Sequence, residues 1–114
     1  MNVVVQGTKE FSDYNVFLRA MGVALSDVSN GEFNVYSVGP AQINSFTAEF
    51  CNLSENGLKQ RGIKTKFYKV PASFIEKNLD NFDYFAFLST PNQHPSKLVA
   101  SAELKGIEVG IFKY

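Results

Sequence analysis

The stretch Tyr84-Phe85-Ala86-Phe87-Leu88 carries no charge and no amide side chain across five consecutive residues. Side chains of a strand alternate between its two faces, so a strand with this composition buries both of them. That is the position of a central strand in a parallel sheet covered by helices on each side. The rest of the chain has to supply those helices and the neighbouring strands.

It does so by strict alternation. Residues 2–6, built on Val3-Val4-Val5, read as a first buried strand. From Ser12 onward Tyr14, Phe17, Leu18, Met21, Leu25 and Val28 fall at helical spacing on one face. Ser12 is the expected N-cap, and Ser29-Asn30-Gly31 ends the helix with turn chemistry. A second strand, Phe33 to Val38, stops at Gly39-Pro40. Ile43, Phe46, Phe50, Leu53 and Leu58 mark a second helix that closes at Gly62, with Gly57 a weak point inside it. Ile63 to Val70 is a third strand, and Pro71 opens a short helical stretch through Phe74, Ile75 and Leu79. After the strand at Tyr84–Leu88, the loop Ser-Thr-Pro-Asn-Gln-His-Pro-Ser leads into a helix through Leu98, Val99 and Ala102. Its start is expected at Asn92 or His94, with Pro95 in the first helical position. That helix stops at Gly106, and Ile107 to Phe112 is the last strand. The order predicts one α/β domain over residues 1–114, a Rossmann-like three-layer sandwich with a mostly parallel sheet of about five strands.

Composition excludes several function classes. The 114 residues hold 11 Lys and Arg against 11 Asp and Glu, which is not the basic excess of a nucleic-acid binder. Cys51 and His94 are each the only residue of their kind, so neither a disulfide nor a cysteine metal cluster is expected, and no cofactor is implied. No apolar run approaches the ~20 residues that span a bilayer, and Met1-Asn2-Val3 lacks the basic start of a signal peptide. A cytoplasmic domain without a membrane partner is the expectation. The 11 Phe and 5 Tyr are many rings for one small core, which points to a homodimer that covers the surplus.

In an open parallel sheet, ligands bind outside the carboxyl ends of the strands where strand order reverses. Three polar loops would emerge on that edge. Gln6-Gly7-Thr8-Lys9-Glu10 follows the first strand, Gly39-Pro40-Ala41-Gln42-Ile43-Asn44 the second, and Ser89-Thr90-Pro91-Asn92-Gln93-His94 the fourth. Two of them lead into helix starts, where unpaired amides and the helix dipole favour an anion. Each loop also reads as ordinary turn chemistry, since no Gly-x-Gly-x-x-Gly and no P-loop lysine motif is present.

The segment Val-Val-Val-Gln-Gly-Thr-Lys-Glu-Phe-Ser-Asp resembles the start of the SLOG superfamily (SMF/DprA–LOG), most nearly its YspA-like branch. Gly7, Thr8, Lys9, Phe11 and Asp13 fit that pattern position by position. The family's second glycine block is met only by Gly39 and Ala41, with Pro40 in place of a glycine. The resemblance implies a Rossmann-like sheet, frequent dimers and binding of nucleotides or nucleotide-derived signals. Its LOG-type phosphoribohydrolases carry Pro-Gly-Gly-x-Gly-Thr-x-x-Glu. Here Pro91 matches and Ser96 substitutes for Thr, but Asn92, Gln93 and Pro95 replace the glycines. Val99 stands where the carboxylate belongs, and Glu103 lies a helical turn further on.

Three readings follow. In the first, the chain binds a nucleotide or other small phosphorylated ligand. Amides of Gly7, Thr8 and Lys9 hold phosphate, Lys9 adds charge, and Ser89 and Thr90 add hydroxyls. Gln42 and Asn44 read ribose or base, with Gly39 and Asn92 completing the loops. In the second, it is a homodimeric interaction protein with a decayed pocket. In the third, it is a LOG-type nucleoside monophosphate phosphoribohydrolase, for which Glu10, Asp13 and Glu103 are the available carboxylates.

Overall fold

The computed structural model describes residues 1–114. Its strands are β1 (Asn2–Gly7), β2 (Gly31–Gly39), β3 (Ile63–Lys69), β4 (Tyr84–Ser89) and β5 (Glu108–Lys113). Its helices are α1 (Tyr14–Leu25), α2 (Ala41–Gln60), α3 (Ala72–Lys77) and α4 (Lys97–Leu104), with a 3-10 turn at Leu79–Asn81. The strands form one sheet in the order β3-β2-β1-β4-β5, and every pair is parallel. The chain steps outward from β1 to β3, then returns to the far side of β1 for β4 and β5. The reversal therefore lies between β1 and β4, the two strands with the most continuous apolar character.

Pleat alternation divides the core between two layers. Val3 and Val5 of β1 join Tyr84, Ala86 and Leu88 of β4 under α1 and α2, where Phe17, Met21, Phe46 and Phe50 pack. Val4, Phe85 and Phe87 point the other way, against Ile75 of α3 and Leu98, Val99 and Ala102 of α4. Right-handed crossovers require this arrangement, because reversing the direction of travel moves the connecting helices to the opposite face. All six side chains of β4 are buried, as its composition demands. No helix is long and apolar enough to cross a membrane.

The rings find most of their cover inside the chain. Eight of the eleven Phe are buried. Tyr14, Phe17, Phe46 and Phe50 form a seam between α1 and α2, with centroids 5.1 Å apart for Tyr14–Phe46 and 5.7 Å for Phe17–Phe46. Such contacts add about 0.5–1.5 kcal/mol beyond area burial. The aromatic rings left outside are Tyr68, Phe74 and Tyr114.

Several boundaries differ from the sequence reading. Asp13, not Ser12, caps α1, its carboxylate accepting from the Val16 amide at 3.1 Å. Both residue types cap well, and with Phe11 buried just before the helix it is Asp13 that stands at the helix end. α4 begins after Pro95, with Ser96 as cap accepting from the Val99 amide at 3.3 Å. Thus Pro95 precedes the helix rather than opening it, and Asn92 and His94 stay in the loop. α2 runs unbroken through Gly57, because its buried Ile43, Phe46, Phe50 and Leu58 anchor both sides of that residue.

Gly7, the last residue of β1, has no room for a side chain. A Cβ there would lie 2.6 Å from Cγ1 of the buried Ile43 and 3.3 Å from the Leu88 carbonyl oxygen. Gly22, exposed inside α1, has nothing within 4 Å of the same position. The two glycines should therefore respond oppositely to alanine. In urea unfolding, Gly7→Ala should lose about 1–3 kcal/mol through overpacking. Gly22→Ala should gain about 0.4–1 kcal/mol by restricting the unfolded chain.

Candidate functional site

The site begins where β1 and β4 end side by side, with Gly7 opposite Leu88. The Thr8 amide donates to the Leu88 carbonyl at 2.9 Å, which ties the first turn after β1 to the end of β4. The Thr8 carbonyl then accepts from the Phe11 amide at 3.2 Å, closing the turn over the buried Phe11 ring.

Gln93 connects this turn to the loop after β4. Its side-chain oxygen accepts from the Thr8 hydroxyl and, at 3.0 Å, from the Thr90 amide. Its side-chain nitrogen donates to the Glu10 carboxylate. One amide side chain thus serves both loops of the switch point, using its acceptor and donor ends together. A second tie lies on the α3/α4 face. The Ser96 hydroxyl donates to the Gln6 side-chain oxygen at 2.6 Å while capping α4. The end of β1 is therefore pinned to the start of α4.

The loop after β2 lies beside them. Gly39 has φ +99°, a left-handed conformation that favours glycine, and its peptide bond to Pro40 is cis. Ser37, fully buried, donates from its hydroxyl to the Asn44 side-chain oxygen at 2.6 Å.

Of the residues singled out in the sequence, Thr8 and Thr90 meet through Gln93. Gly7 provides the close approach, and Ser89 lies at the end of β4. The Ser89 hydroxyl is buried without a hydrogen-bond partner, whereas its carbonyl accepts from the Tyr114 amide at 3.1 Å. Gly39 and Asn44 shape the end of β2, Asn44 as an internal brace. Lys9, Gln42 and Asn92 are exposed and make no side-chain hydrogen bond within the chain. The Thr8 amide is already used by Leu88, so it is not free for a phosphate in this arrangement.

Gln93 and Gln6 were expected only as members of the edge loops, Glu10 only as an available carboxylate and Ser96 only as a motif match; none was expected among the ligand-binding residues. Gln6 carried a signal, as the first polar residue after the apolar run of β1. For Gln93 the signal was weaker: an amide side chain in a loop at the switch point, able to satisfy two loops together.

A groove of about 310 Å³ opens at this edge between α3 and α4, lined by Gln6, Ala72, Glu76, Ser96, Lys97, Leu98 and Ser101. The largest groove, about 420 Å³, is elsewhere, beside β3 and the end of α2. The carboxyl-edge position rests on the reversal of strand order and its polar contacts, not on cavity size. No three His, Cys, Asp or Glu side chains converge as metal ligands.

Comparison with protein-family models, curated proteins and solved structures finds no match.

Cys51 stands apart from the switch point, on α2. Burial raises its thiol pKa, an effect opposed by a contact with the Thr65 hydroxyl at 3.7 Å. Because the thiolate is the reactive form, Cys51 should react slowly with a disulfide reagent in the native protein at neutral pH. The rate should rise as the pH is increased and should jump when the protein is unfolded in urea. Absorbance of the released thiol follows both changes.

Proposed function

We propose that this chain is a binding module for a nucleotide or another small phosphorylated ligand, held at the carboxyl edge between β1 and β4. The observation that supports it most is the Thr8–Gln93–Thr90 connection at the reversal of strand order. It joins the two loops that such a ligand would contact and leaves a groove of about 310 Å³ alongside. Lys9 and Lys97, both exposed, supply the positive charge for a phosphate. In this reading Gln93 occupies in the free protein some of the polar groups that a ligand takes over on binding. The reading agrees with membership of the SLOG superfamily and with a cytoplasmic setting, and both belong to the proposal.

A second reading has its own support. Gln93 and Glu10 satisfy one another across the loops, and the Glu10 carboxylate puts negative charge where a phosphate would arrive. A pocket closed in this manner suits an interaction protein, such as a homodimer, whose ligand site has decayed. The phosphoribohydrolase reading is weaker, because Glu103 is exposed far along α4 and Val99 is buried in the core.

Titration calorimetry with a panel of nucleotides separates the readings. Lys9→Ala should weaken binding by about 1.5–3 kcal/mol, the range for hydrogen bonds to charged groups. Gln93→Ala should strengthen it by about 1 kcal/mol, since the Thr8 hydroxyl and the Thr90 amide are released from their internal partner. Glu103→Gln should leave it unchanged. No heat from any nucleotide overturns the binding reading, and light scattering then decides whether the chain is a dimer.

A further inference from the structure

The neutral total conceals an asymmetry along one edge of the sheet. Residues 59–69 read Lys-Gln-Arg-Gly-Ile-Lys-Thr-Lys-Phe-Tyr-Lys, and hold five of the eleven Lys and Arg with no Asp or Glu. The fold places this stretch at the end of α2 and along β3, an outermost strand of the sheet. The one ion pair in the structure joins Lys105 to Asp80 at 3.7 Å, so none of these five cations has a carboxylate partner within bridging distance. Glu32 lies opposite Lys64 in the register, and Glu55 lines the same groove as Lys59.

The backbone of β3 is open on the same side. The Gly31 amide donates to the Gly62 carbonyl at 2.9 Å, and the Val70 amide donates to the Ser37 carbonyl at 3.0 Å. The register between these two bonds is unbroken. Successive residues of a parallel strand aim their amide and carbonyl at opposite neighbours, so the even-numbered residues face β2. Ile63, Thr65, Phe67 and Lys69 therefore present their backbone groups outward, with no strand beyond them. Alongside lies the largest groove of the molecule, about 420 Å³, between Glu55 and Lys59 of α2 and Ile63, Lys64 and Thr65 of β3.

We propose that the β3 edge is a docking site for an extended acidic peptide segment, which adds to the sheet as a sixth strand. Main-chain hydrogen bonds to the outward set from Ile63 to Lys69 hold the peptide. Its side chains alternate. Those on the α2 side enter the groove beside Lys59, and those on the other side lie against Lys64, Lys66 and the exposed Tyr68. Charge selects the partner. Lysines on an edge strand repel a second copy of the same edge. An antiparallel two-fold pairing centred on Lys66 would set Lys66 against its own counterpart. The same charges attract a strand rich in Glu or Asp. This proposal is independent of the carboxyl-edge site.

Fluorescence anisotropy with a fluorescein-labelled Thr-Glu-Val-Glu-Val-Glu-Thr peptide tests it. Saturable binding is expected, and Lys66→Glu should weaken it by about tenfold or more while Arg19→Glu, on α1, changes it by less than about twofold. Both side chains are exposed, and circular dichroism confirms that each variant is folded. Peptides N-methylated on alternate residues carry the discriminating result. Methylation in one register should abolish binding, and in the other register should leave it intact, because only one set of amides faces β3. No saturable binding, equal effects of the two methylation registers, or tighter binding of a thymidine oligonucleotide than of the peptide overturns the proposal.

Discussion

The pairing of β1 with β4 is the constraint on which the molecule depends. Both strands are buried on both faces at the centre of the sheet, and they are separated in sequence by β2, β3, three α-helices and a 3-10 turn. Joining them costs loop-closure entropy that no local interaction returns. The return comes from apolar burial on two sides, as Val3, Val4 and Val5 lie beside Tyr84, Phe85 and Ala86. Once this pair forms, α1 and α2 have one face to cover and α3 and α4 the other. The carboxyl ends of β1 and β4 must then open together at a single place.

That place is polar because the strands end there, and its polar groups are largely occupied by one another. Gln93 serves Thr8, Thr90 and Glu10, and Ser96 serves Gln6 and the start of α4. Such a network fixes the two loops against each other, and the groove of about 310 Å³ opens to one side of it, beside Gln6 and Ser96. The Ser89 hydroxyl is buried beside the network without a partner. The edge at β3 is the reverse case: there backbone groups and five cations remain unoccupied, beside an open groove.

Much of the fold was legible in local pattern. The unbroken apolar run of β4 implied cover on both faces, and the 3.6-residue spacing of Phe17, Met21, Phe46 and Phe50 marked the helices that provide it. Helix starts were less legible. Ser12 and Asp13 are both good caps, and the local pattern does not choose between them. At the candidate site, Gly7 and Thr8 were legible as a turn after an apolar strand. The role of Gln93 was not, because nothing near it in sequence marks its contact with Thr8, 85 residues away.

The amino-acid sequence by itself determined the order of strands and helices, the doubly buried centre and the polarity of the three carboxyl-end loops. These follow from periodicity and composition, which act over a few residues. Only the tertiary structure decided which loops bond to one another, which of their polar groups are free, and that β3 stands at the margin. Lys59, Arg61, Lys64, Lys66 and Lys69 form a charged stretch in any arrangement of the chain. They become an unpaired basic edge because β3 has a neighbour on one side only, and strand order is set by long-range burial that no local segment encodes.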